Sequence, residues 1–539
     1  MDDPQVVVIG AGAGGPVVAK ELAERGVKVL VLEAGPWLDP DEDYTRLEDD
    51  MSALGDGRLR WGPADRSRDP WTRVRDGAGL ILQSAGVGGS TLHYNGISPR
   101  AYVPSVEGDW PMTYADLIAY FERVEAFLPV TQVRDLAPKD ALFAAGCEGI
   151  GLPRNDSRDV TEPSWKPCYN AILPIAEMRE GSSLRWPDVD GCTMCGHCLQ
   201  GCPHPTGAPL ERKAKRATNV SYVPAAVATG CCEIVPNAFA TQVLFEERLR
   251  GDGTRHARAR GVTWRDTETG EEREVEAAVV VLAGGAIESP RLWLNSGLPN
   301  THDAVGRRLT THLQDIVTGF FDREVHPNVG QVTMARADFP GSGTVFVQGY
   351  GPQAYAVAVC GAGSGTWDEP TGGEPWDIAG KGWGEEAVRR IRRYHRSLSC
   401  IISTDDEADP GNRVTVAGDW EPDEHGPVPR VVYHPTAASR DRQDHLARKG
   451  AEILRAAGAR EVHRTRFTPA LLTHIMGTMR LGQDPATSVV DEGGEAHEVE
   501  RLFVADTSVL PGVGGANPTL SAQALAVRTA DEIARRYLS

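Results

Sequence analysis

The stretch from Val6 to Glu33 constrains this chain more than any other. Val6-Val-Val-Ile is a uniformly apolar run of the kind a parallel sheet buries on both faces. Gly10, Gly12 and Gly15 follow in G-x-G-x-x-G spacing, with Gly14 in the same turn. Residues 16–25 continue as a helix, and Val27-Lys-Val-Leu-Val-Leu is a second strand ending at Glu33. Each glycine has a physical task. Gly10 permits the turn, Gly12 lets backbone approach a pyrophosphate, and Gly15 lets helix and strand pack closely. The helix N-terminus then faces the phosphate charge. Glu33 lies 18 residues after Gly15, where a carboxylate can accept hydrogen bonds from both ribose hydroxyls of an adenosine. The same carboxylate would repel the 2′-phosphate of NADP. FAD and NAD both fit this segment.

Size and charge narrow the class. A chain of 539 residues is long enough for roughly two to four domains. Its 59 Gly and 37 Pro exceed the usual share, as expected where backbone wraps a large ligand. The net charge of −19 disfavours nucleic acid and anionic membrane as partners. No apolar run approaches the about 18 residues of a membrane span, and the first strand begins near Gln5, which leaves no room for a signal peptide. These features predict a cytoplasmic protein.

Two more glycine-rich segments and a C-terminal block stand out. Ser84-Ala-Gly-Val-Gly-Gly-Ser-Thr-Leu-His-Tyr-Asn-Gly exposes backbone far from the first turn. In Val279-Val-Val-Leu-Ala-Gly-Gly-Ala-Ile-Glu-Ser-Pro a strand ends in small residues, and Ser289-Pro290 is expected to start a helix. The C-terminal block contains His474, the strand Leu502 to Ala505, and Gly515-Ala-Asn-Pro opening a last helix near Pro518. His474 and Asn517 can form a proton-transfer pair. Equally, His474 can be a satisfied core residue and Asn517 a helix N-cap.

These segments, in this order and spacing, resemble the glucose–methanol–choline (GMC) oxidoreductase family. The resemblance covers most of the chain. It includes the Gly-Ala-Ile-x-Ser-Pro…Ser-Gly signature at Gly285 to Gly297 and the segment Val305-Gly-Arg-Arg-Leu-Thr-Thr-His. Asn412-Arg-Val-Thr-Val and the Asn of Gly515-Ala-Asn-Pro place it closest to the sugar, polyol and sterol-type branches. The resemblance implies FAD and an α/β fold with a Rossmann-like parallel sheet plus a discontinuous α+β substrate domain with an antiparallel sheet. The FAD domain would take residues 1–110, 205–312 and 475–539, and the substrate domain 111–204 and 313–474. The implied activity is oxidation of an alcohol to a carbonyl, with a sugar, polyol or other cyclic alcohol as substrate and oxygen or another acceptor taking the electrons. A non-redox lyase and an electron-transfer subunit are the alternatives.

The resemblance also implies residue roles. His474 would be the catalytic base and Asn517 its partner. Gly10, Gly12, Gly14, Gly15, Glu33, Gly88, Gly89, Ser90, His93, Asn95, Val243, Gly284, Asp506, Pro518 and Thr519 would hold FAD. Asp506 would reach the ribityl or phosphate region through its backbone, and His93 is a candidate for covalent attachment. A helix N-terminus at Pro518 would stabilise negative charge on the reduced ring.

Cys192-x-x-Cys-x-x-Cys-x-x-x-Cys202 lies in the expected substrate domain. Cys192, Cys195, Cys198 and Cys202 fit an iron–sulfur cluster, tetrahedral zinc, or buried thiols without metal. Arg212, Lys213, Lys215 and Arg216 read as a solvated basic face or a docking patch for an acidic acceptor. In the substrate domain, Val414 to Ala417 and Val428 to Tyr433 read as strands roofing the cofactor. Residues 385–394 and 437–457 read as helices, and 361–383 as a loop at the entrance or a subunit contact.

Overall fold

The computed structural model describes residues 1, 3–44, 61–65, 67–174, 191–249, 255–360 and 384–538. The strand Val6–Ile9 is the centre of a five-stranded sheet. Its order is Leu502–Val504, Val279–Leu282, Val6–Ile9, Val29–Leu32 and Cys232–Val235, and every neighbour is parallel. The first four are buried along their whole length, which is why they read as unbroken apolar runs. Helix Gly15–Ala23 packs against the C-terminal helix Thr519–Tyr537. A Cβ on Gly14 would sit 1.9 Å from the carbonyl oxygen of Ala505. Only glycine lets the N-terminal turn meet the end of the C-terminal strand so closely.

A second sheet is antiparallel throughout. It runs Glu461–Arg466, Gln314–Phe320, Ser397–Thr404, Gly343–Gln348, Ala335–Phe339 and Ser164–Pro167. The two-residue period of a strand sorts its side chains onto two faces. Val317, Val345, Val347 and Cys400 join Phe143, Leu446, Ala447 and Leu454 of helices Pro138–Gly149 and Ala437–Ala456 in one apolar core. Ile316, Phe346, Gln348 and Ile401 alternate with them and line a cavity. The buried Asp315 carboxylate is fully engaged. It pairs with Arg464 at 2.6 Å and accepts from Gln443 Nε2 and the Phe467 N–H, each at 2.9 Å. The fold is therefore mixed α/β, a parallel sheet joined to an antiparallel one.

Three sequence expectations are corrected. The strands near 414 and 430 form at Arg413–Val416 and Pro429–Val432, but they pair with each other, and the second pairs with Val74–Asp76, in a separate three-stranded sheet. The six-stranded sheet lines the cavity in their place. The helix expected over 385–394 stops at Ile391. The third correction concerns Ser289-Pro290, because the helix already begins at Gly285 and Pro290 stands inside it. Proline has no N–H for the carbonyl four residues back. That carbonyl, Ala286 O, accepts from the Thr478 hydroxyl at 2.7 Å instead. The proline thus creates the acceptor that docks the chain four residues past His474. Residues 361–383 lie outside the described residues. Among the described residues no helix is long and apolar enough to cross a membrane.

The Gly14 contact yields a paired test. Gly14→Ala is expected to lower the melting temperature sharply or prevent soluble expression. Gly108→Ala lies in helix Val103–Asp109 with open space around it, and is expected to stabilise by up to about 1 kcal/mol. Thermal unfolding of both variants checks this, and equal effects would discount the close backbone contact.

Candidate active site

A cavity of about 370 Å³ runs between the two sheets. At one end its wall is bare backbone, from Gly10 and Gly12 of the first turn, Gly89 and Ser90 of the second, and Gly284 and Gly285 of the third. The first two turns touch. A Cβ on Gly89, where φ is +49°, would meet the Gly12 Cα at 2.7 Å. Glu33 also lines this end, and its carboxylate accepts main-chain N–H groups from Ala11 at 2.8 Å, Gly35 at 3.0 Å and Gly86 at 2.9 Å. Burial raises its pKa above the ordinary value while these N–H groups lower it. A carboxylate has about four acceptor sites, so capacity remains for a ligand hydroxyl. Beyond it, Phe239 and His425 stack with ring centroids 3.8 Å apart, and both line the cavity.

At the other end stand two histidines and an asparagine. His474 Nε2 is 3.3 Å from Asn517 Nδ2, and His474 Nδ1 is 3.1 Å from His312 Nδ1. The two rings meet edge to face at 89°. His474 keeps a partly exposed edge, but that edge opens onto the cavity, and desolvation lowers its pKa to about 4. Burial, with His474 and Arg336 adding to it, holds His312 well below the ordinary histidine value. Both rings are neutral at pH 7. The last helix begins at Thr519 with Pro518 as its cap residue and no side-chain cap. Asn517 precedes that cap, so its amide is directed at His474. In the sequence His312 is simply the last residue of Val305-Gly-Arg-Arg-Leu-Thr-Thr-His, with no local pattern that marks a role. Its position just before the strand Gln314–Phe320 was the available signal.

Asp506 also differs in detail from its expected use. Its carboxylate accepts from the Gly285 N–H at 2.8 Å, the Ser289 hydroxyl at 2.6 Å and the Ser508 N–H at 2.7 Å. It thereby ties the C-terminal strand to the signature helix beside the cavity. His93, Asn95, Gly284, Pro518 and Thr519 line the cavity as well. Asn95 donates to Gln348 Oε1 at 3.0 Å, joining the second glycine loop to the six-stranded sheet. Gly14, Gly15, Gly88 and Val243 do not line it. Gly14 and Gly15 make the close backbone contacts of the turn, and the Val243 N–H donates to the Ser296 hydroxyl at 2.8 Å.

The cysteine run divides. Cys192 and Cys198 turn into an apolar cluster with Ile172, Ala214 and Val332, and burial pushes the Cys198 thiol up to about 12. Cys195 lies instead with His197 and His204, the donor atoms of all three within 4.8 Å of one another. Of the four basic residues that follow, only Arg212 is exposed. Lys213, Lys215 and Arg216 are buried. Lys215 Nζ donates to Leu92 O at 2.7 Å, Tyr94 O at 3.1 Å and Cys198 O at 2.6 Å, and Lys213 donates to Pro203 O and Pro205 O. Arg216 donates to three main-chain carbonyls. The readings of these three as a solvated face or a docking patch are therefore corrected. Lys215 holds the cysteine loop against the second glycine loop, while Lys213 and Arg216 brace the turns next to them in sequence.

Comparison with known proteins agrees with this layout. Sequence profiles described as GMC oxidoreductase match residues 178–314 and 408–526, and a profile for an NAD(P)-binding Rossmann-like domain matches residues 8–38. The chain is 29% identical to 2-methyl-1,2-propanediol dehydrogenase of Mycolicibacterium austroafricanum, over 99% of this chain and 96% of that protein. It is 29% identical to 6'''-hydroxyparomomycin C oxidase of Streptomyces lividus, over 98% and 91%. It is 26% identical to the fructose dehydrogenase large subunit of Gluconobacter japonicus, over 98% and 97%. Among solved structures, pyridoxine 4-oxidase from Mesorbium loti superposes with a TM-score of 0.64 at 17% identity, covering 99% of this chain and 100% of that one.

The depressed histidine sets a pH dependence. Above the ordinary value of 6.5 His474 is neutral in both folded and unfolded chains. Between 6.5 and about 4 the unfolded chain binds a proton that the folded chain does not, so stability falls as pH falls through this window. His474→Gln should flatten the slope there, measured by urea unfolding at several pH values. An unchanged slope would remove His474 from the effect.

Proposed function

Because this chain belongs to the GMC oxidoreductase family, flavin-dependent enzymes acting on alcohols or sugars, we propose that it oxidises a CH–OH group to a carbonyl with His474 as general base. The residues present fit FAD. The backbone-lined end of the cavity, its Glu33 with acceptor capacity to spare, and two helices without side-chain caps supply what a dinucleotide needs. The glycine turns and Glu33 would hold its adenosine and pyrophosphate, and the Pro518–Thr519 helix start would face its ring. FAD, when bound, accepts the hydride at N5.

The observation that carries the reading is the His312–His474–Asn517 line at the cavity's far end. To take a hydroxyl proton at Nε2, His474 must carry its own hydrogen on Nδ1. That hydrogen then donates to His312 Nδ1, 3.1 Å away. His312, kept neutral by burial, is thus a positioning residue that selects the tautomer. Asn517 steadies the alcohol oxygen as negative charge grows on it, in a site where a fixed dipole acts without reorganisation.

The wall facing these residues bears on substrate. Ile316, Phe346, Tyr350, Ile401, Phe467 and Leu471 are apolar or aromatic, with Gln314 and Gln348 as polar exceptions. Such a lining favours an alcohol with an apolar body, the cyclic-alcohol end of the sugar and polyol range. Two amides suffice to orient it.

Anaerobic mixing with candidate alcohols tests the reaction, since oxidation bleaches the flavin and a lyase leaves its spectrum unchanged. His474→Ala should slow flavin reduction by about 10²- to 10⁴-fold while FAD stays bound, and near-normal reduction would overturn the assignment. His312→Gln should slow reduction less and displace its pH profile. A rate loss without any change in that profile would leave His312 a packing residue only.

A further inference from the structure

The cysteine segment contains a repeat that the four-thiol reading passes over. Cys195-Gly-His197 and Cys202-Pro-His204 are two C-x-H pairs separated by four residues. Cys192 and Cys198 are buried within the apolar cluster, against whose edge Cys202 also packs, while Cys195 is not part of it. Cys195, His197 and His204 bring their donor atoms within 4.8 Å of one another, and the two imidazoles lie 5.9 Å apart at 61°. Cys202 stands beside them, with its thiol 3.8 Å from the His204 carbonyl.

We propose that Cys195, His197 and His204, with Cys202 as fourth ligand, form a tetrahedral zinc site that braces this loop against the cofactor cavity. The donor types suit it. Two thiolates and two imidazoles are a common set for structural zinc, and this sulfur–nitrogen mix points away from magnesium or calcium. The distances suit it too. With Zn–S near 2.3 Å and Zn–N near 2.0–2.1 Å, tetrahedral donors stand about 3.3–3.8 Å apart. Closing from 4.8 Å asks Cys195, His197 and His204 for about one ångström of side-chain rotation, and Cys202, outside that group of three, must turn its thiol from the His204 carbonyl to join them. Two left-handed residues, Met194 at φ +57° and Gly196 at φ +79°, flank Cys195 and turn it out of line with its neighbours.

The site's place in the fold gives it a purpose. Leu199 lines the cavity between the two C-x-H pairs. Lys215 Nζ bridges the Cys198 carbonyl to those of Leu92 and Tyr94, on either side of the cavity residue His93. Lys213 holds the Pro203 and Pro205 carbonyls around His204. A metal closing the loop would fix that wall from behind, where the described residues form no strand or long helix. Its zinc would be redox-inert, and electrons would leave the flavin by another route.

Metal analysis of the full-length holoenzyme tests this. After stripping with chelator, titration with Zn(II) should leave one zinc per chain through gel filtration, and should restore a melting temperature lowered by the stripping. His197→Asn and His204→Asn should weaken zinc binding by more than the roughly 10- to 100-fold typical of losing an outer partner. Cys192→Ala should leave it intact. Co(II) in the unaltered protein should show a thiolate-to-metal charge-transfer band that Cys195→Ser loses, which keeps the test independent of variants that misfold. No retained zinc and no thiolate–cobalt band would overturn the proposal. So would iron with acid-labile sulfide in anaerobically purified protein, lost in Cys192→Ala, because that result assigns the four thiols to a cluster.

Discussion

The cavity depends first on one buried carboxylate. Glu33 ends the strand Val29–Leu32, and its two oxygens take N–H groups from Ala11, Gly35 and Gly86. An ionised carboxylate taken out of water without partners would cost several kcal/mol. Three main-chain donors offset that cost, and each belongs to a different stretch of backbone. The first glycine turn, the strand's own exit and the second glycine loop are thereby fixed to one another. Only then can Gly89 lie against Gly12, and only then does the loop continue along the cavity to Asn95 and the six-stranded sheet.

The C-terminal block is held by a second device built from a defect. Pro290 interrupts the hydrogen-bond ladder of its helix, and the Ala286 carbonyl it frees is taken by Thr478. A few residues away Asp506 caps the N–H of Gly285 and the hydroxyl of Ser289. Both ties converge on the start of the helix Gly285–Asn295. The segments carrying His474 and Asn517 are therefore positioned by the same helix that forms the third glycine wall. A signature that reads as a helix start is also the dock for the end of the cavity that holds His474 and Asn517.

What could be read from the sequence follows from the range of each interaction. The parallel sheet was legible because uniformly buried strands and glycine turns leave local patterns at Val6, Val29 and Val279. The strands at Arg413 and Pro429 were legible as strands, but not their partner, since pairing with Val74 is a contact across more than three hundred residues. Lys213, Lys215 and Arg216 misled for a related reason. A run of basic residues reads as solvated surface, yet here main-chain carbonyls take their donors, from the second glycine loop for Lys215 and from neighbouring turns for Lys213 and Arg216. His312 went without a role because nothing local distinguishes a histidine that touches another histidine 162 residues away.

The depressed pKa of His474 shapes the chemistry proposed for it. A base with a pKa near 4 cannot hold a proton taken from an intact alcohol in the ground state. It can accept one while the carbinol C–H bond breaks, because the oxygen then becomes far more acidic. In the proposed reaction, proton transfer to Nε2 would accompany hydride loss rather than precede it. The desolvation that weakens the base also makes the imidazolium costly once formed, so its Nδ1–H needs a neutral acceptor within reach. His312, which burial holds well below the ordinary histidine value, stays an acceptor under the same conditions. Burial thus acts on both rings together: it keeps the pair neutral before reaction and makes the second histidine the available sink for the first one's hydrogen bond.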